Sequence, residues 1–177
     1  MSWLDVEIER LTEPGYLAGI ESIAIDALRS MRSECQQAEV TVSYLRRVAQ
    51  GRLDIVGAYM NGIDSASGLD SLIEELPRII AGPVRPPGPG RLPAQFAPDA
   101  AGMELTGEID VIFGPDEVGK LPSMGQEELA EIASNLAKVE TKLSAQRHEL
   151  HKQIDGIQAE IVHRYKTGEA SVDSLVP

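Results

Sequence analysis

The sequence predicts an all-α protein in which two long helices form an antiparallel coiled coil, joined by a Pro/Gly-rich, largely disordered linker. Three observations carry this. Two stretches of the chain run without a single proline. Within each, apolar residues recur at alternating steps of three and four, the spacing that keeps one stripe of a helix facing a partner. Between them six prolines, Pro83, Pro86, Pro87, Pro89, Pro93 and Pro98, crowd among glycines and arginines. A helix of roughly 40 residues is about 60 Å long and cannot close into a globule, so each must bury its stripe against the other.

Composition narrows the function classes. The chain has 177 residues, 42% hydrophobic but only 4% aromatic, which leaves little material for an aromatic-lined substrate pocket. Sixteen Lys and Arg against 28 Asp and Glu give a net charge of −12, a surface that repels nucleic acid and anionic membranes. Direct DNA binding is not expected; a basic partner is. A single cysteine, Cys35, precludes an internal disulfide and any multi-cysteine zinc site. The N-terminus MSWLDVEIERL is acidic and has neither a basic nor an apolar leader region, and no stretch reaches the roughly 20 apolar residues of a membrane helix. A cytoplasmic protein is expected.

Residues 1–25 carry a small apolar group, Trp3, Leu4, Tyr16, Leu17 and Ile20, expected to cap the coil or to meet a partner. The first long helix is predicted over 26–62, from Asp26 as N-cap to the stop signal Asn61-Gly62. Its seam reads Leu28, Met31, Cys35, Ala38, Val42, Leu45 and Ala49, then Leu53, Val56 and Met60 after an extra step of four, a heptad with a stutter. The linker spans 63–122, Pro-rich over 83–98. Within it Leu69 to Ile80 could form a short helix, and Glu108 to Phe113 alternates weakly like a short strand or docking segment. The second long helix is predicted over 123–167, where Ser123 and Gln126 have capping-box spacing. Its seam is Leu129, Ile132, Leu136, Val139 and Leu143, broken at Gln146, then Leu150, Ile154, Ile157 and Ile161, before a tail over 168–177.

The seams leave one polar pattern unexplained. On the first helix Glu39, Ser43, Arg46, Gln50 and Asp54 spell ExxxSxxRxxxQxxxD. On the second, Glu140, Ser144, Arg147, His151 and Asp155 repeat it with His in place of Gln, at a constant offset of 101 (140 − 39 = 155 − 54). At about 100° per residue each set falls within an arc near 80°, one stripe along its helix. With Leu28 and Leu129 as heptad a positions, both copies take the same letters: Glu and Arg at e, Ser and Gln or His at b, Asp at f. In an antiparallel pair the e edges lie side by side, so the stripes are expected to line one groove of approximate two-fold symmetry. Arginine can engage the O6/N7 edge of guanine or a phosphate, and a carboxylate can accept from guanine N–H groups. This chemistry suits a symmetric, guanine-containing dianion, and cyclic di-GMP answers to that description.

At these residues the sequence resembles the RsiG family of cyclic-di-GMP-dependent anti-sigma factors. The doubled stripe and the runs Ser43-Tyr44-Leu45-Arg46-Arg47 and Gln50-Gly51-Arg52-Leu53-Asp54 carry the resemblance, over both helices. It implies a switch without chemistry of its own, which holds a WhiG-type sigma factor of sporulation away from core RNA polymerase with a dimer of cyclic di-GMP against the coil. Arg46, Asp54, Arg147 and Asp155 would be the main nucleotide contacts, supported by Glu39, Ser43, Gln50, Glu140 and Ser144. His151 departs from the pattern, since an imidazole cannot make the bidentate contact of an amide. Acidic charge would speed association with the basic faces of a sigma factor. A coiled-coil adaptor whose polar stripe is plain solvated surface is the other reading of the same residues.

Other motifs lead away from enzymes. Gly114 to Lys120 has the form GxxxxGK, but Leu121 stands where a phosphate-binding loop needs Ser or Thr, Asp116 and Glu117 would face the phosphates, and Pro122 interrupts the helix that should follow. His148 and His151 are three apart rather than the four of a zinc-protease helix. Cys35 falls at an a position, the place of a small buried thiol. No nucleophile–base set stands out, and no enzyme is expected.

Overall fold

The computed structural model describes residues 3–61 and 106–169. In chain order they form α1 (Trp3–Leu11), a 3₁₀ turn (Ile20–Ser22), α2 (Ile25–Met60), α3 (Gly107–Phe113), a 3₁₀ stretch (Pro115–Ser123) and α4 (Gln126–Thr167). The described residues contain no strand. The architecture is the all-α one expected, two long helices in an antiparallel coiled coil. The predicted helix over 69–80, the Pro-rich 83–98 and most of the tail lie outside the described residues.

The long helices follow from sequence. Neither contains proline, and α4 opens on Glu127 and Glu128 and closes on Arg164 and Lys166, charges that complement the helix dipole. Gly168, at φ 79°, adopts the left-handed turn that ends it. The N-terminal boundaries differ from expectation. Helix α2 begins at Ile25, so Asp26 lies in its first turn and pairs with Arg29 at 2.6 Å instead of capping. Ser123 closes the 3₁₀ stretch, its hydroxyl donating to the Lys120 carbonyl at 2.7 Å, and α4 starts three residues later.

The chain divides into two compact units, Met1–Val42 with Ala145–Pro177, and Ser43–Ser144. In the first, Arg29 donates to Tyr165 Oη, Arg32 to Gln158 at 2.6 Å and Arg147 to Glu39 at 2.9 Å. Rising numbers on α2 meet falling numbers on α4, so the segments run antiparallel. Leu28, Cys35, Val42, Leu150 and Ile157 are fully buried, and α1 adds Leu4, Ile8 and Leu11 to the same core. Each such side chain contributes about 1.5–3 kcal/mol by leaving water. Arg10 joins Glu7 of α1 to Glu34 of α2. The second unit buries Leu45, Ala49, Val56, Tyr59, Leu129, Leu136 and Leu143 together with Ile109, Phe113 and Leu121.

The seam itself differs from its prediction in one respect. Leu28, Cys35, Val42, Ala49 and Val56 are buried without exception, every seventh residue, and Tyr59 fills the d position after Val56. Leu53 and Met60 are only half-buried. There is thus no stutter. The d position between Leu45 and Tyr59 belongs to Arg52, whose stem can lie along the seam while its head is held by Asp110 and by the Phe113 carbonyl at 2.7 Å. On α4 the period likewise runs from Leu129 through Ile157 to Arg164, with Gln146, Gln153 and Glu160 at d. These polar d residues have a cause: the N-terminal segment covers this half of α4. Gln146 donates to Asp5, and Arg164, paired with Glu160, donates to the Ile20 and Ile23 carbonyls.

The expected apolar group of residues 1–25 is divided by the fold. Leu4 is buried, the Tyr16 hydroxyl lies 3.9 Å from Cys35 Sγ, and Leu17 sits over Gly156. A Cβ at Gly156 would come within 2.6 Å of Leu17, which accounts for a glycine inside a helix where it costs about 1 kcal/mol relative to alanine. Trp3 remains half-exposed.

Residues 108–113 are a helix, not a strand. Alternation would bury Val111 along with Ile109 and Phe113, whereas α3 places Ile109 and Phe113 one turn apart and leaves Val111 88% exposed. Its first turn carries Glu108 and Asp110, and Thr106 donates to Asp110 at 3.1 Å.

Candidate functional site

The e positions of an antiparallel pair meet across the seam, and the stripe residues do so in both units. In the first unit, Arg147 Nε of α4 donates to Glu39 Oε1 of α2 at 2.9 Å. One turn along α4, His151 Nε2 lies 3.3 Å from the same oxygen. In the second unit, Arg46 Nη1 of α2 donates to Glu140 Oε1 of α4 at 3.1 Å. One turn along α2, Gln50 Nε2 reaches that oxygen at 3.2 Å, and Ser144 Oγ donates to it at 2.9 Å.

The glutamate–arginine pair and the b-residue contact beside it each recur at the sequence offset of 101. Glu39 corresponds to Glu140, Arg147 to Arg46 and His151 to Gln50. In both clusters the glutamate of one helix holds the arginine of the other, and the b residue one turn beyond that arginine adds a second contact to the same carboxylate oxygen. The glutamates are the less exposed members, at 17% and 22%, while Arg147 and His151 keep about a third of their side-chain surface in water. A carboxylate anchored inside and a guanidinium leaning out is a preorganised arginine, its orientation fixed by the pair. Arg46 Nε is buried and has no partner among the described residues.

Ser43 is half-buried on the same stretch of α2. The stripe's two aspartates stand apart. Asp54 and Asp155 are exposed, and neither forms a hydrogen bond or ion pair among the described residues. Partial desolvation raises the Asp54 pKa above the ordinary aspartate range. Arg32 was not among the expected site residues. It occupies the e position seven before Glu39 and donates to Gln158, a b residue of α4, continuing the e-to-b pairing one heptad further; its Nε is also buried without a partner. Heptad lettering alone could have found it.

The remaining motifs resolve simply. The Gly114 amide is taken by Glu117 Oε2 at 2.8 Å, and Lys120 lies 3.6 Å from the other oxygen of that carboxylate, so the GxxxxGK segment fills its own amide with an acid. Cys35 is a fully buried seam residue whose thiol burial pushes up in pKa. Among the described residues no group of three His, Cys, Asp or Glu could hold a metal ion, and no helix is long and apolar enough to cross a membrane.

No curated protein matches the chain at a significant level. The RsiG-like family model matches it over residues 14–80 and 115–177, which takes in α2, α4 and both glutamate–arginine clusters. The chain therefore belongs to the RsiG-like family, a family of regulatory anti-sigma factors, not of enzymes, whose partner is a sigma factor.

Proposed function

We propose that this anti-sigma factor binds cyclic di-GMP through the doubled stripe and, with the nucleotide bound, keeps a WhiG-type sigma factor from core RNA polymerase, so controlling sporulation genes in the cytoplasm. The observation that carries the reading is the repetition of one donor–acceptor set in two clusters, Glu39 with Arg147 and His151, and Glu140 with Arg46, Gln50 and Ser144. Two clusters built on the same glutamate–arginine pair suit a ligand whose two halves are chemically identical. In this reading Arg46 and Arg147 engage the phosphates or the guanine O6/N7 edges, Asp54 and Asp155 accept from guanine N–H groups, and the glutamates hold the arginines in place. Two nucleotides, as a dimer, would supply four guanines and four phosphate charges to this set. A net charge of −12 supports association with the basic surface of a sigma factor rather than with DNA.

Size-exclusion chromatography of the chain with a WhiG-type sigma factor tests this. Co-elution that strengthens with cyclic di-GMP, and loses that dependence in Arg46→Ala/Arg147→Ala, is the expected result. Co-elution indifferent to the nucleotide would leave an anti-sigma factor without this switch, and a stripe that is solvated coiled-coil surface.

A further inference from the structure

The glutamate–arginine pairs of the two clusters correspond residue for residue, but the b residue beside each pair differs. Gln50 Nε2 donates to Glu140 Oε1 at 3.2 Å, whereas its counterpart is an imidazole, His151, with Nε2 3.3 Å from Glu39 Oε1. An amide keeps the same hydrogens at every pH; an imidazole changes charge between about pH 5 and 8. The charged group of α2 that meets His151 is Glu39; along α4, Arg147 and Asp155 are four residues to either side of it. Around the shared carboxylate the sums differ. Glu140 with Arg46 is neutral whatever the pH near neutrality. Protonation of His151 would add one positive charge beside the Glu39–Arg147 pair, a change that Gln50 cannot make beside Glu140 and Arg46. His151 keeps about a third of its surface in water, so it can meet a ligand without opening the core.

We propose that His151 makes the Glu39–Arg147–His151 cluster a proton-linked contact, so that the chain takes an anionic guanine nucleotide more tightly when the imidazole is protonated, while the Arg46–Gln50–Glu140 cluster is indifferent. The inference rests on the nucleotide-binding reading above. A protonated imidazole donates through both nitrogens: one hydrogen satisfies Glu39, and the cluster's added charge attracts the phosphate. The ligand then binds with uptake of a proton, and one linked proton changes affinity by at most about tenfold per pH unit. The two clusters are thereby unequal in a way that spacing alone conceals.

The test is the dissociation constant of cyclic di-GMP for the full chain across pH 6 to 8, for the natural sequence, His151→Gln and Gln50→His. The expected result is binding about tenfold tighter at pH 6 than at pH 8 for the natural sequence, a flat profile for His151→Gln whatever its absolute affinity, and a steeper one for Gln50→His. Should His151→Gln bind too weakly to profile, the Gln50→His slope decides. A flat natural profile, a dependence that survives His151→Gln, or no steepening in Gln50→His would overturn the inference and leave the nucleotide reading standing. Absence of binding at every pH would overturn both.

Discussion

Arg147 Nε and Glu39 Oε1 stand 2.9 Å apart across the seam, and the pair recurs, with helices exchanged, as Arg46 and Glu140 at 3.1 Å. Both pairs are part-exposed, and such ion pairs contribute only about 0–1 kcal/mol to folding. Their value lies in aiming the arginine. Glu39→Ala is therefore expected to lower the melting temperature by less than about 4 °C while weakening cyclic di-GMP binding about tenfold, the cost of losing one charge-assisted contact's worth of order. Thermal unfolding beside titration calorimetry checks it; a large loss of stability with unchanged affinity would make the pair a structural clasp.

The a-position leucines behave oppositely. Leu136 and Leu150 are fully buried, and removing the three terminal side-chain carbons from either leaves a cavity that costs about 2–5 kcal/mol. Leu136→Ala and Leu150→Ala should each lower the denaturant midpoint well beyond Leu53→Ala, since Leu53 lies off the seam and is half-buried. Equal effects at all three positions would restore the stutter that the structure removes.

Arg52 ties α2 to α3 through Asp110 and the Phe113 carbonyl. Arg52→Ala withdraws both partners, and the expected outcome is faster hydrogen exchange confined to residues 107–123, with the amides of α4 unaffected. Protection unchanged over α3 would show that burial of Ile109 and Phe113 holds it alone.

Asp54 gives a pH signature. Desolvation raises its folded-state pKa above that of the unfolded chain, so between the two values the native state keeps a proton the unfolded state has released, and stability falls as pH rises through that window. Above the window the charged form is the destabilised one. Asp54→Asn should thus raise the melting temperature slightly at pH 7, have no effect below the ordinary aspartate range, and weaken nucleotide binding. A lower melting temperature at pH 7 would mean that the carboxylate accepts a native hydrogen bond.

How much of this was legible beforehand depended on whether one period explained a residue. Leu28 to Ala49 and Leu129 to Leu143 gave the helices, their pairing and the lettering that brings Glu39 to Arg147. Arg52 defeated the pattern because its stem sits at d while its head is satisfied by a segment 58 residues away, so the apolar Leu53 was read in its place. Gln146, Gln153 and Glu160 look like a broken seam because the N-terminal segment packs over this half of α4, where Gln146 donates to Asp5 and Arg164, paired with Glu160, donates to the Ile20 and Ile23 carbonyls. Val111 imitated strand alternation because two truly buried neighbours, Ile109 and Phe113, are four apart and share its parity. Within the candidate site, spacing brought eight stripe residues to their places beside the seam; it gave no sign that Asp54 and Asp155 stand clear of the ion-pair clusters.

The most direct measurement is titration calorimetry of cyclic di-GMP into the chain, alone and with a WhiG-type sigma factor, alongside Arg46→Ala/Arg147→Ala. The account expects saturable binding near two nucleotides per chain, alone or once the sigma factor is present, and its loss in the double variant with helicity unchanged. No heat of binding in either setting, or binding undiminished in the double variant, would contradict it.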